Sequence, residues 1–217
     1  YPTLSCVVGG TKVLMDDGFH DIEEFCAGHE PGDYFSLTGK IFGKDGLEDL
    51  SHGYVSPESD TLKITTRHGL ELEVTHEHPL WCIDAREGGK MVKAKDIVIG
   101  DHLRVQHNIG VYGDDNSLDH PTVKEITPEL AYLIGGYIAE GWIVDPWRIE
   151  VANTDEEFRQ AYLENTIIKP FTVRNKTIKL ICHSREMVDV FKAVGVDPAQ
   201  KCYTKRVPSR IWRCSRD

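Results

Sequence analysis

The hydrophobic period of this chain changes once, and that change limits its fold more than any other feature. From Cys6 to about Gln106 the apolar residues come in short β-type runs, TKVLM, YFSLT, LKITT, LELEV, DIVI and HLRV, separated by turn signals such as Asp-Gly and Gly-Asp. After HNIGVYGDDNSLDHP, rich in Gly, Asp and Asn, the runs lengthen to helical spacing. We therefore expect two domains: an all-β domain over 6–106 behind a short flank, 1–5, then a linker, 107–121, and an α+β domain over 122–217. The chain's 217 residues are enough for two cores.

Within the second part, Thr127-Pro128-Glu129 supplies a capping residue and a proline at the first helical position. ELAYLIGGYIAEGW, which follows, is apolar on most faces, so this helix has to be buried. WRIEVAN reads as a strand, and TDEEFRQAYLENTI as a helix opening at Thr154. FTVRN and TIKLICH read as a hairpin joined through Asn175-Lys176, SREMVDVFKAVGV as a helix capped by Ser184, and VPSRIWRC as the start of another.

Charge divides along the same joint. The net charge is −10, but residues 1–106 hold 10 Lys/Arg against 19 Asp/Glu, and residues 166–217 hold 12 against 4. An acidic first part argues against nucleic acid there, whereas a basic second part suits either phosphate or a solvated face. Six scattered cysteines with no CxxC pair point to reduced thiols. No apolar run approaches the ~18 residues of a membrane span, and YPTLSCVVGG lacks the basic and apolar regions of a secretory signal. A cytoplasmic protein without a membrane partner is the expectation.

EVTHEHPLWC, residues 73–82, concentrates polar chemistry at one strand end. His76 and His78 alternate correctly to offer two imidazoles on one face, but no further ligands stand at recognisable spacing for zinc. The plain alternative is a strand that finishes before Pro79.

Three segments in order carry a resemblance. Cys6-Val-Val-Gly-Gly-Thr11, Gly69-Leu-Glu-Leu-Glu-Val-Thr75-His-Glu-His78 and Val92-Lys-Ala-Lys-Asp-Ile-Val-Ile-Gly100-Asp101 together resemble the opening blocks of inteins, the Hint-type protein-splicing domains. The resemblance implies that Cys6 attacks the Ser5–Cys6 bond in an N–S acyl shift. Thr75 then assists at the same carbonyl, His78 donates a proton, and His76 is structural. No cofactor is implied for that rearrangement. Leu133-Ile-Gly-Gly-Tyr-Ile-Ala-Glu140-Gly141 resembles the signature helix of LAGLIDADG homing endonucleases. That likeness implies close helix packing through Gly135, Gly136 and Ala139, a magnesium ion held by Glu140, and DNA phosphates met by Arg174, Lys176 and Lys179.

Only one signature helix is present, and the single His-Asn pair, His107-Asn108, is followed by Ile109. The chain thus resembles the N-terminal fragment of a split intein that splices in trans. The implied partners are a complementary C-terminal intein fragment, a host protein and DNA. Two other readings stay open: a truncated or decayed endonuclease fragment with residual DNA binding, and a hedgehog-like autoprocessing domain.

Overall fold

The computed structural model describes residues 5–43, 46–84, 88–105, 110, 112–174 and 178–216. Two compact units account for the chain, Tyr1–Val111 and Tyr112–Asp217. No described helix is long and apolar enough to cross a membrane.

Among the described residues the first unit consists of strands and two 3₁₀ turns. Its strands are β1 (Lys12–Met15), β2 (Gly18–Asp21), β3 (Tyr34–Ser36), β4 (Lys40–Gly43), β5 (Gly46–Asp49), β6 (His52–Tyr54), β7 (Thr61–Thr65), β8 (Glu71–Thr75), β9 (Pro79–Asp84), β10 (Gly88–Lys93) and β11 (His102–Leu103). All pairings are antiparallel, in the orders β2-β1-β4-β5, β10-β9-β11, β3-β6 and β7-β8. Gly18 enters β2 at φ 117°, a left-handed value that the tight Asp16-Asp17 turn imposes and glycine accepts without strain. The 3₁₀ turn Ile22–Cys26 follows β2, opened by a reciprocal capping box between Asp21 and Glu24.

One expected strand is absent. DIVI, despite its β-branched residues, runs from the 3₁₀ turn Ala94–Asp96 into an exposed bend, with Val98 66% exposed. The reason is local: Asp101 accepts a hydrogen bond from the Val98 amide at 2.9 Å and returns its own amide to the Val98 carbonyl at 3.1 Å. That Asx-type closure gives the backbone an alternative to a ladder.

Among the described residues the second unit packs three helices on one four-stranded antiparallel sheet, of order β12-β13-β15-β14. Its elements in sequence are α1 (Pro128–Glu140), β12 (Gly141–Asp145), β13 (Arg148–Ala152), α2 (Glu156–Glu164), β14 (Thr172–Val173), β15 (Lys179–His183) and α3 (Arg185–Val194). Thr127 caps α1 by accepting from the Leu130 amide at 3.3 Å, and Ser184 caps α3 by accepting from Met187 at 3.2 Å. Asp155, not Thr154, caps α2, accepting from Phe158 at 2.7 Å. Helix α1 stops at Glu140 because Gly141 already pairs with Val151 of β13. VPSRIWRC yields only the 3₁₀ turn Ser209–Arg213. The hairpin of β14 and β15 forms as expected, but its Asn175-Lys176 joint lies outside the described residues, as do 107–109 and 111 of the expected linker. The rest of that linker, from Tyr112, belongs to the second unit: Leu118 and His120 are buried, and Ser117 bridges to Glu125.

Leu130, Leu133, Ile134 and Tyr137 of α1 recur on one face and are buried. They meet Ile149 and Val151 of β13, Leu180 and Cys182 of β15, and Met187, Val188 and Phe191 of α3 in a single core. Gly136 faces α2: a β-carbon there would strike Tyr162 and lie 2.9 Å from Phe158. Gly135 opens onto free space. We predict that Gly136→Ala destabilises the unit by about 1–3 kcal/mol through overpacking, while Gly135→Ala, on the same helix, stabilises it by about 0.5–1 kcal/mol. Urea unfolding of the two variants, followed through near-ultraviolet circular dichroism, checks the opposite signs.

Candidate functional site

The segment before β1 lies along β8 as a partial extra strand. Val7 bridges Val74, the Val8 amide donates to the Glu73 carbonyl at 3.2 Å, and the Thr75 amide donates to the Cys6 carbonyl at 3.0 Å. At its start the Cys6 amide donates to Thr75 Oγ1 at 2.9 Å. Thr75 is buried, so its hydroxyl is fixed by both the strand and this bond. The sequence expectation put Thr75 at the carbonyl of the Ser5–Cys6 bond, whereas the structure puts it on the nitrogen of that bond. Extended pairing explains the difference, since it turns the Cys6 amide toward β8.

After Thr75 the chain turns sharply, with the His78 amide donating to the Thr75 carbonyl at 3.0 Å. The turn brings the His78 side chain back toward the segment before β1. Burial holds the His78 imidazole below its ordinary pKa, and a hydrogen bond with the Ser5 backbone works in the opposite direction. His78 Nδ1 is buried and has no partner among the described residues. His76 is exposed, and its carbonyl accepts from the Lys95 amide at 3.0 Å. Ser5, Cys6, Thr75 and His78 are among the residues lining a cavity of about 1070 Å³ whose walls are largely apolar, including Val13, Met15, Phe25, Phe35 and Ile41. A thiol, a hydroxyl and a neutral imidazole around one peptide bond can exchange a proton and attack a carbonyl.

The other proposed site residues do not gather. Glu140 ends α1 exposed to solvent, and the described residues contain no group of three His, Cys, Asp or Glu able to hold a metal ion. The charge beside Glu140 is instead a cation. Lys205 Nζ donates to the carbonyls of Tyr137 at 2.9 Å and Ile138 at 3.4 Å and to that of Gly141, and lies 4.8 Å from the Tyr137 ring centre. One carboxylate next to an ammonium does not fit magnesium, which takes several oxygen ligands. Gly136, expected to admit a second signature helix, packs on Phe158 and Tyr162 of α2. Lys179 is paired with Glu150 at 3.1 Å and lies over Trp142, so its charge is engaged within the sheet. Arg174 is exposed just after β14, and Lys176 lies outside the described residues. Sequence reasoning missed Lys205; Lys205-Arg-Val-Pro showed only as part of a basic tail.

No family model matches the chain. It is 28% identical over 224 residues to a replication factor C small subunit of Methanocaldococcus jannaschii, covering 96% of this chain and 12% of that protein. A replication factor C small subunit of Pyrococcus horikoshii is 24% identical, covering 96% and 24%. An A-type ATP synthase subunit of Pyrococcus abyssi is 29% identical over 195 residues, covering 81% and 19%. The chain thus spans between about an eighth and a quarter of the length of these relatives.

Those names overturn the identification by resemblance. None is that of an intein or a homing endonuclease, and similarity along 96% of the chain outweighs three short blocks of common strand and turn chemistry. The family assignment, splicing in trans, the endonuclease-fragment and hedgehog-like alternatives, and the partners drawn from them, a C-terminal intein fragment, a host protein and DNA, are corrected accordingly.

The depressed pKa of His78 has a consequence for stability. The unfolded chain takes up this proton first, near pH 6.5, so the contribution of neutral His78 is present above that value and is lost as pH falls below it. We predict that wild-type protein loses more stability between pH 7 and pH 5 than His78→Gln does. Amide-exchange free energies of β7 and β8 at the two pH values check this; an equal loss in both proteins would contradict it.

Proposed function

We propose that this chain is a module of a longer polypeptide of the kind its relatives' names describe, and that its first unit is a self-acting thiol site directed at the Ser5–Cys6 peptide bond. The same segment is shared by two kinds of protein, small subunits of replication factor C and an A-type ATP synthase subunit. Its own chemistry is therefore sought in what the segment itself contains. The 217 residues include no G-x-x-x-x-G-K-[ST] segment, so phosphate binding of that type would fall to parts of such a polypeptide outside this chain. For a parent of the replication factor C kind, the partners are further subunits of that assembly, and the location is the cytoplasm.

The observation that carries the reading is the bond from the Cys6 amide to Thr75 Oγ1 at 2.9 Å, because that amide is the nitrogen of the Ser5–Cys6 bond. In the proposed step Cys6 Sγ attacks the Ser5 carbonyl carbon. The C–N bond breaks as the C–S bond forms, giving a thioester at Ser5 and a free amine at Cys6. Neutral His78, with an unengaged Nδ1, accepts the thiol proton and passes it to the departing nitrogen. Thr75 holds the scissile nitrogen in place throughout.

Incubation of the purified chain with hydroxylamine or dithiothreitol, followed by intact mass spectrometry, tests this. We expect release of residues 1–5 from wild-type protein, none from Cys6→Ala, and a rate lower by about 10²–10⁴-fold in His78→Ala. Release from Cys6→Ala at the wild-type rate would defeat the proposal.

A further inference from the structure

The turn that carries His78 is not held by β8 alone. Two main-chain bonds tie it to the junction of β10 with the 3₁₀ turn Ala94–Asp96: the Ala94 amide donates to the His78 carbonyl at 2.8 Å, and the Lys95 amide to the His76 carbonyl at 3.0 Å. Between these two histidines stands Glu77. Its carboxylate reaches the same junction, with Oε2 2.7 Å from Lys93 Nζ and Oε1 bonded to Lys95 Nζ. Hydrogen bonds from Lys93 and then Lys95 hold the Glu77 carboxyl down at about 2, so the contact persists across the physiological range.

We infer that Glu77, clamped between Lys93 and Lys95, is a positioning residue that sets the His78 imidazole against the Ser5–Cys6 bond. This inference rests on the reading of Cys6, Thr75 and His78 as a site.

His78 is the third residue beyond Thr75, on a turn whose direction depends on few bonds. A rotation of the turn about the Thr75 carbonyl would leave β8 intact and still swing the ring away from Ser5. The Glu77 clasp and the two amides of residues 94 and 95 form three anchors between the turn and the junction after β10. Exposed ion pairs contribute little to global stability. A misplacement of about 1 Å in a reacting group can nevertheless cost on the order of 10²-fold in rate. The clasp is therefore expected to matter for geometry and hardly at all for unfolding.

The test compares wild type with Glu77→Gln and Glu77→Asp by two readouts. The first is the rate of hydroxylamine-dependent release. We expect Glu77→Gln to slow it by at least 10-fold, with Glu77→Asp restoring part of the loss, at an unchanged unfolding midpoint and an unchanged rate of Cys6 alkylation by iodoacetamide. The second is independent of any reaction: amide exchange at His78, Ala94 and Lys95 should quicken at least 10-fold in Glu77→Gln, while Val74 in β8 stays as protected as in wild type. Unchanged exchange at those three amides overturns the inference, whatever the activity. If exchange quickens but wild type releases nothing, the positioning of the turn stands and the reading of the site falls. If wild type reacts and Glu77→Gln reacts equally fast, the clasp has no part in positioning and the inference fails.

Discussion

The reciprocal pairing of Cys6 with Thr75 fixes the start of the first unit's described chain against β8. It takes a segment that precedes every regular element of the unit and commits it to the edge of β8. The Cys6 amide has its partner in a side chain and the Cys6 carbonyl has its partner in the main chain, so neither is left unsatisfied in a half-buried position. A thiol on a free terminus would sample many orientations. Here the backbone is held on both sides of the sulfur-bearing carbon, which removes orientational freedom that the proposed attack would otherwise lose.

The two units achieve order by different means. The second has a continuous core in which α1, α3 and the sheet bury Leu133, Tyr137, Ile149, Leu180 and Phe191 almost completely. Edge-to-face contact between Tyr137 and Phe191, with ring centres 5.5 Å apart at 88°, gives that core directional packing as well as area. The first unit buries far fewer apolar side chains, chiefly Leu14, Met15, Val74, Cys82 and Ala94, and instead surrounds a large apolar cavity. Its order comes from hairpins whose registers are set by tight turns and from ion pairs on their surfaces, such as Lys12 with Asp21.

Several polar groups in the second unit are engaged by the fold itself. Lys205 closes the carbonyl end of α1, where the helix dipole is negative and orphan acceptors remain. Burial lowers its pKa, yet the carbonyls and the Tyr137 ring favour the cation. Glu150 is buried on the sheet and compensated by Lys179 and by Arg148, 3.6 Å away. The pairing with Glu150 accounts for Lys179, which in the sequence alone looks free for phosphate.

The sequence by itself determined the change of period near residue 110, the capped starts of α1 and α3, and the hairpin partners FTVRN and TIKLICH. Those features are local: capping, alternation and turn chemistry act over a few residues and leave their pattern in the chain. Tertiary structure alone decided which atom of the Ser5–Cys6 bond Thr75 touches, that Gly136 makes room for Tyr162 and Phe158, and that Lys205 seals a helix 64 residues earlier, whereas a local competition that the sequence reading did not register decided that DIVI bends. The first three depend on contacts between residues far apart in sequence, whose identities carry no mark of their partners. The bend does not: Asp101 offers the backbone a closer hydrogen bond than a strand neighbour could, and a propensity for β structure cannot register that competition.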